Sequence, residues 1–83
     1  MPLLVEFGGI KITMHFIQHE HNPPHIHCEY NGEKCLINLN NLSVMEGRIP
    51  RKQLKKALKW TYKNQLMLLF MWQNQEFKSL PPL

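Results

Sequence analysis

Four histidines, His19, His21, His25 and His27, fall within nine residues, with Glu20 among them and Glu29 two positions beyond. Imidazole titrates near neutrality and offers two nitrogens, so the group suits metal coordination or proton transfer. A His-x-His pair on a strand, here His25 and His27, aims both rings to one side. His19 or His21, on a loop stiffened by Pro23-Pro24, would supply a third ligand and leave Zn²⁺ or a similar ion one open position. Without a metal, His21, His25 and His27 with Lys34 nearby match the needs of RNA strand cleavage. These are a base for the 2′-hydroxyl, an acid for the leaving oxygen and a cation for the phosphate. The structural alternative has Pro23-Pro24 fixing the start of the strand, one histidine capping loop carbonyls and another packing beside Leu36. That alternative accounts for one histidine better than for four.

A second constellation is cationic. Arg48, Arg51, Lys52, Lys55, Lys56, Lys59 and Lys63 place seven of the ten basic residues on sixteen positions with no acidic residue between them. The segment carries +7 and the rest of the chain −3, so the modest net +4 conceals a dipolar molecule. A purely solubilising helix face normally mixes in carboxylates. Nucleic acid, RNA or DNA, or an acidic protein partner would suit this one.

The elements that must hold these groups divide at residue 47. Ile10, Ile12, Met14 and Phe16 alternate with Lys11, Thr13 and His15, the pattern of a half-buried strand over 10–16, preceded by a turn at Gly8-Gly9 and a short apolar segment over 3–7. Asn31-Gly32 supplies the positive φ angles of a type I′ hairpin and thereby a register. It pairs Tyr30 with Glu33, Glu29 with Lys34, Cys28 with Cys35, His27 with Leu36, Ile26 with Ile37 and His25 with Asn38. Ile26, Cys28, Tyr30, Cys35, Ile37 and Leu39 then form a core face, with His25, His27, Glu29, Lys34 and Asn38 on the other. A turn at Asn40-Asn41 leads to a short strand over 43–46 ended by Gly47.

Pro50 suits a helix start. From there Leu54, Ala57, Leu58, Thr61 and Tyr62 make one stripe and Lys52, Lys55, Lys56, Lys59 and Lys63 the opposite one. Beyond Lys63 the sequence is apolar all round, so either the helix breaks near Lys63-Asn64, the favoured alternative, or a partner covers it. Trp60 and Trp72 read as core or interface residues, and the tail from Ser79 to Leu83 as extended.

The fold class expected is α+β, a small antiparallel sheet of three to four strands with one long or two short C-terminal helices. It forms a single domain over 1–83, β-rich over 1–47, helical over 50–77 and extended over 78–83. The chain is too short for two cores, and a core this thin invites a partner. The longest apolar run, Leu66 to Trp72, has seven residues against the roughly 20 of a membrane span, so no membrane association is expected. Two cysteines without a cleavable leader point to a reducing, cytoplasmic setting, with Cys28 and Cys35 as core residues.

Phe7-Gly8-Gly9-Ile10, the run Glu20-His21-Asn22-Pro23-Pro24-His25-Ile26-His27, Glu29-Tyr30 and Glu46-Gly47-Arg48-Ile49-Pro50-Arg51 together resemble the bacterial domain of unknown function 4160 family over nearly the whole length. The departures are small: Glu20 where Asp is usual, Cys28 in place of a small residue, and a less acidic stretch over 38–41. The resemblance implies a component of a two-gene toxin–antitoxin-like module, with a cognate small protein encoded by a neighbouring gene as partner. It supplies no catalytic residues. The reading that follows is a cytoplasmic toxin–antitoxin-associated protein binding a partner and nucleic acid through its basic helix. The alternative is a metal-binding or RNA-cleaving enzyme centred on the histidines.

Overall fold

The computed structural model describes residues 3–15 and 23–83. Five strands, β1 (Leu3–Phe7), β2 (Ile10–Thr13), β3 (His25–Tyr30), β4 (Glu33–Asn38) and β5 (Val44–Gly47), form one antiparallel sheet in sequence order. Two helices, α1 (Arg51–Lys63) and α2 (Gln65–Asn74), follow, completing an α+β fold.

The β3–β4 hairpin has the register that Asn31-Gly32 dictates, from Tyr30 opposite Glu33 to His25 opposite Asn38. Both turn residues take positive φ, 50° and 83°, which matches the twist of the flanking strands. Strand alternation then buries Ile10, Ile12, Ile26, Cys28, Cys35 and Ile37 on one face, the expected division of an antiparallel sheet with one solvated side.

The sheet has one strand more than expected. β1 escapes the sequence pattern because a bulge between Leu3 and Val5 interrupts its pairing with β2. Leu4 and Val5 are consequently both buried, and the period-two signal is lost. β2 is shorter than the expected 10–16: it ends at Thr13, although Met14 is still buried, and Phe16 lies outside the described residues.

Asn38 and Asn41 build the β4–β5 connection. Asn38 Oδ1 accepts from the backbone N–H of Asn40 at 2.7 Å, and Asn41 Oδ1 from that of Ser43 at 3.0 Å. Gly47 closes β5 at φ +74°, where a Cβ would collide with the Lys34 carbonyl oxygen. Only glycine satisfies both demands.

The helical run breaks at Asn64, whose φ of −113° and ψ of 14° leave helical geometry. Its side-chain amide donates to Trp60 O at 2.9 Å and its own carbonyl accepts from Leu68 N at 2.9 Å, so the backbone groups of the break are satisfied. α2 thereby buries Leu68, Met71 and Trp72 at helical spacing. Gln75 at φ 55° stops it, so the stretch expected to be helical over 50–77 holds helix from Arg51 to Asn74.

On α1 the buried residues are Ala57, Trp60 and Thr61. Tyr62, expected on the apolar stripe, is 69% exposed, while Trp60, about 200° round the helix from it, is buried. The register of the stripe is thus rotated toward the larger ring, whose Nε1–H donates to Pro81 O at 2.8 Å. That bond, with Leu80 N–H donating to Leu4 O at 2.8 Å, ties the extended tail across the core.

Candidate functional site

Two surfaces carry chemistry, and they lie on opposite sides of the sheet. On the solvated side, alternation along β2, β3 and β4 brings Lys11, Thr13, His27, Glu29 and Lys34, with His15 two residues past the end of β2, around an open cleft of about 260 Å³. Cross-strand pairing sets Thr13 opposite His27, and Glu29 opposite both Lys11 and Lys34. The rings of His15 and His27 stack with centroids 3.9 Å apart and planes 17° apart.

His25 departs from expectation. Strand alternation assigns it to the outer face with His27, yet it is only 3% exposed. At the start of β3 its ring turns against Trp72 of α2, with centroids 5.1 Å apart. Its Nδ1 lies 2.9 Å from Pro23 O, a bond to a carbonyl that requires Nδ1–H to donate. The stiff Pro23-Pro24 pair thus presents a carbonyl that His25 caps, and Pro24 O accepts from Leu39 N at 2.9 Å. His25 here performs the structural role.

His19 and His21, with Glu20, lie outside the described residues. Among the described residues no group of three His, Cys, Asp or Glu side chains is placed to hold a metal ion. The stacked pair is also the wrong shape for one. Two imidazoles sharing a tetrahedral Zn²⁺ at about 2.1 Å hold their ring centres about 5 Å apart with in-plane lone pairs converging. Nearly parallel rings at 3.9 Å do not converge. The described donors therefore do not fit a zinc centre. For acid–base chemistry the structure keeps His27 and Lys34 in the cleft, withdraws His25 and adds His15 and Lys11.

Cys28 and Cys35 face each other across β3 and β4 as free, buried thiols. Their mutual hydrogen bond, and burial after it, push the Cys28 thiol well above its ordinary range. A thiol so held is a core group and a poor nucleophile.

On the helical side Arg48, Arg51, Lys52, Lys55, Lys56, Lys59 and Lys63 are all exposed. No acidic residue occupies the first turn of α1, where Arg51 and Lys52 stand against the positive end of the helix dipole. The cationic stripe runs directly into an apolar one: Tyr62, Leu66, Met67 and Phe70 are 69%, 83%, 39% and 55% exposed. The break at Asn64 turns one side of α2 into the core and leaves this other side outward.

Lys11, Thr13 and His15 were legible only as the polar side of the strand expected over 10–16. Their assembly with His27 depends on the β2–β3 register, and no sequence signal comparable to Asn31-Gly32 announces it. Tyr62 was masked by its place on the apolar side of the α1 wheel.

Fold and surfaces together define a small α+β domain in which two helices back a meander of five strands. The chain belongs to the family described as domain of unknown function (DUF4160), which matches residues 9–73. That span takes in the cleft, the whole of α1 and all but the last residue of α2. No curated protein and no solved structure matches the chain.

Proposed function

We propose that this protein is a small binding module whose helical surface docks a protein partner on the α2 ridge and nucleic acid along α1. One observation carries the reading: seven exposed cations with no carboxylate between them in the sequence, Glu33 of β4 lying beside Arg48 and Arg51 only, run into four exposed large apolar side chains. Contiguous exposed apolar surface of this kind marks interaction sites on soluble domains. Helix α1, about 20 Å long, spreads its charges along a line, which suits a chain of singly charged phosphodiesters. Placing Arg51 and Lys52 at the positive end of a helix costs local stability, and such breaches of local preference concentrate where function requires them.

The partner we favour is the small protein encoded beside it in a toxin–antitoxin-like pair, as the family resemblance implies. A reducing cytoplasm suits the two free thiols. The test is co-expression with the neighbouring gene product, scored by co-purification and growth. Wild type should co-purify, and Leu66→Glu with Phe70→Glu should not. Retention of the partner by that variant rejects the ridge as its dock. Affinity for a single-stranded RNA should fall steeply with salt and drop in Lys55→Glu with Lys59→Glu. Salt-independent binding rejects the cationic reading.

A further inference from the structure

The cleft on the solvated face of the sheet is not used by the helical-surface reading, and its charges are arranged differently. Lys11 and Lys34 flank it on β2 and β4, and the His15–His27 stack, 3.9 Å between ring centres, lies beside them. We propose that this cleft is a binding site for a phosphate monoester, a compact dianion, and that the imidazole pair takes up a proton as the ligand binds.

Groups able to hold an anion outnumber the one carboxylate at the opening. Two ammonium groups, two imidazoles and the single Glu29 carboxylate line one opening of about 260 Å³, room for a phosphate and part of what it is attached to. Stacked imidazoles this close repel if both are protonated, and an anion between them and the lysines removes that penalty. Anion binding and imidazole protonation are therefore coupled, each favouring the other. Thr13, opposite His27, adds a hydroxyl donor. Lysine binds phosphate as a point charge and does not demand the planar fork of arginine.

Other charged groups on this face bear on the coupling. From β3, Glu29 sits between the two lysines and competes with the anion for them. Glu6 on β1 pairs with Lys11, and Glu46 on β5 stands across from Leu36. His25, 5.4 Å from His27 between ring centres, is buried against Trp72 and oriented by Pro23 O. Glu29 has the largest opposing influence, since it pairs with both lysines. Its neutralisation should strengthen anion binding, an effect that a merely structural carboxylate would not produce.

The test is a ¹H–¹⁵N NMR titration of the whole protein at constant ionic strength. Sulfate is the first probe because it stays a dianion from pH 5.5 to 8, so any pH dependence belongs to the protein. The expected result is saturable shifts at Lys11, Thr13, His15, His27 and Lys34, with affinity falling about tenfold between pH 5.5 and 8. Lys34→Ala should weaken binding several-fold, Glu29→Gln should tighten it, and His27→Gln should flatten the pH profile. Inorganic phosphate and uridine 5′-monophosphate then distinguish the sources: tighter binding of the nucleotide assigns the site to nucleotides, equal binding to free phosphate. A dinucleoside phosphodiester should bind more weakly than either.

Shifts no larger than chloride produces, an unchanged affinity in both Lys34→Ala and Glu29→Gln, or a diester bound as tightly as the monoester would each overturn the proposal. Lys55→Glu with Lys59→Glu leaves cleft binding intact if the proposal holds. Loss of sulfate shifts in that variant would move the anion to α1 and reject the cleft. Failure here leaves the helical-surface reading standing, and the reverse is equally true.

Discussion

The two faces of this protein are built by different routes from the same chain. The helical face draws its residues from one stretch, Arg48 to Phe70, so nearness in sequence gathers them without strand pairing. The cleft collects Lys11 and Thr13 from β2, His15 from just beyond it, His27 and Glu29 from β3 and Lys34 from β4, so it exists only once three strands are in register. The first is insensitive to small shifts of tertiary structure. A one-residue slip of β2 against β3 would destroy the second.

Both faces share one core, and the largest effect should come from breaking it. Trp60→Ala is expected to cost about 3–5 kcal/mol in urea unfolding, because it empties a fully buried site and removes the Nε1–H bond to Pro81 O. Trp60→Phe keeps most of the packing and should cost less than half as much. Equal losses in the two variants would mean that the hydrogen bond, not the burial, dominates.

A second variant should injure one side preferentially. Gly47→Ala forces a Cβ into the Lys34 carbonyl at positive φ and should destabilise by about 2 kcal/mol or more. Amide shift changes should concentrate in β4 and β5 while α2 stays native. Uniform changes over α1 and α2 would show the faces to be mechanically inseparable.

Surface variants sharpen the comparison from the other direction. Leu66→Glu with Phe70→Glu should change unfolding free energy by about 0.5 kcal/mol or less per site, since both side chains are already largely in water. Loss of partner binding at preserved stability then belongs to the interface. A large loss of stability would instead show that the ridge is covered within the molecule. The smallest effect on folding is expected from Lys55→Glu with Lys59→Glu. Its signature is a slope of log affinity against log salt that is shallower by about 1.4 for a single-stranded ligand, two phosphate contacts at about 0.7 each.

The same contrast explains what could be read in advance. Asn31-Gly32 fixed the β3–β4 register to the last pair, and the seven cations needed no tertiary information. The break at Asn64 was legible because the sequence beyond Lys63 is apolar all round and does not continue the amphipathic pattern, although Leu66 and Phe70 stay exposed after the break. The β1 strand was hidden by its bulge, and the exposure of Tyr62 was hidden because the buried arc of α1 is centred on Ala57, Trp60 and Thr61. His25 was misplaced because alternation holds within a strand and weakens at its first residue, where Pro23 O and Trp72 reorient the ring. The cleft was missed as a unit: His15 lies outside the histidine-rich segment and joins His27 only through strand pairing.

The central claim is that nucleic acid engages the helical face and not the sheet. The most direct test is amide shift mapping with a single-stranded RNA that lacks terminal phosphates. The account predicts shifts along Arg48 to Lys63 that shrink as salt rises, with Lys11, Thr13, His27 and Lys34 unmoved. Shifts confined to those four residues, or no saturable shifts on α1 at low salt, would contradict it.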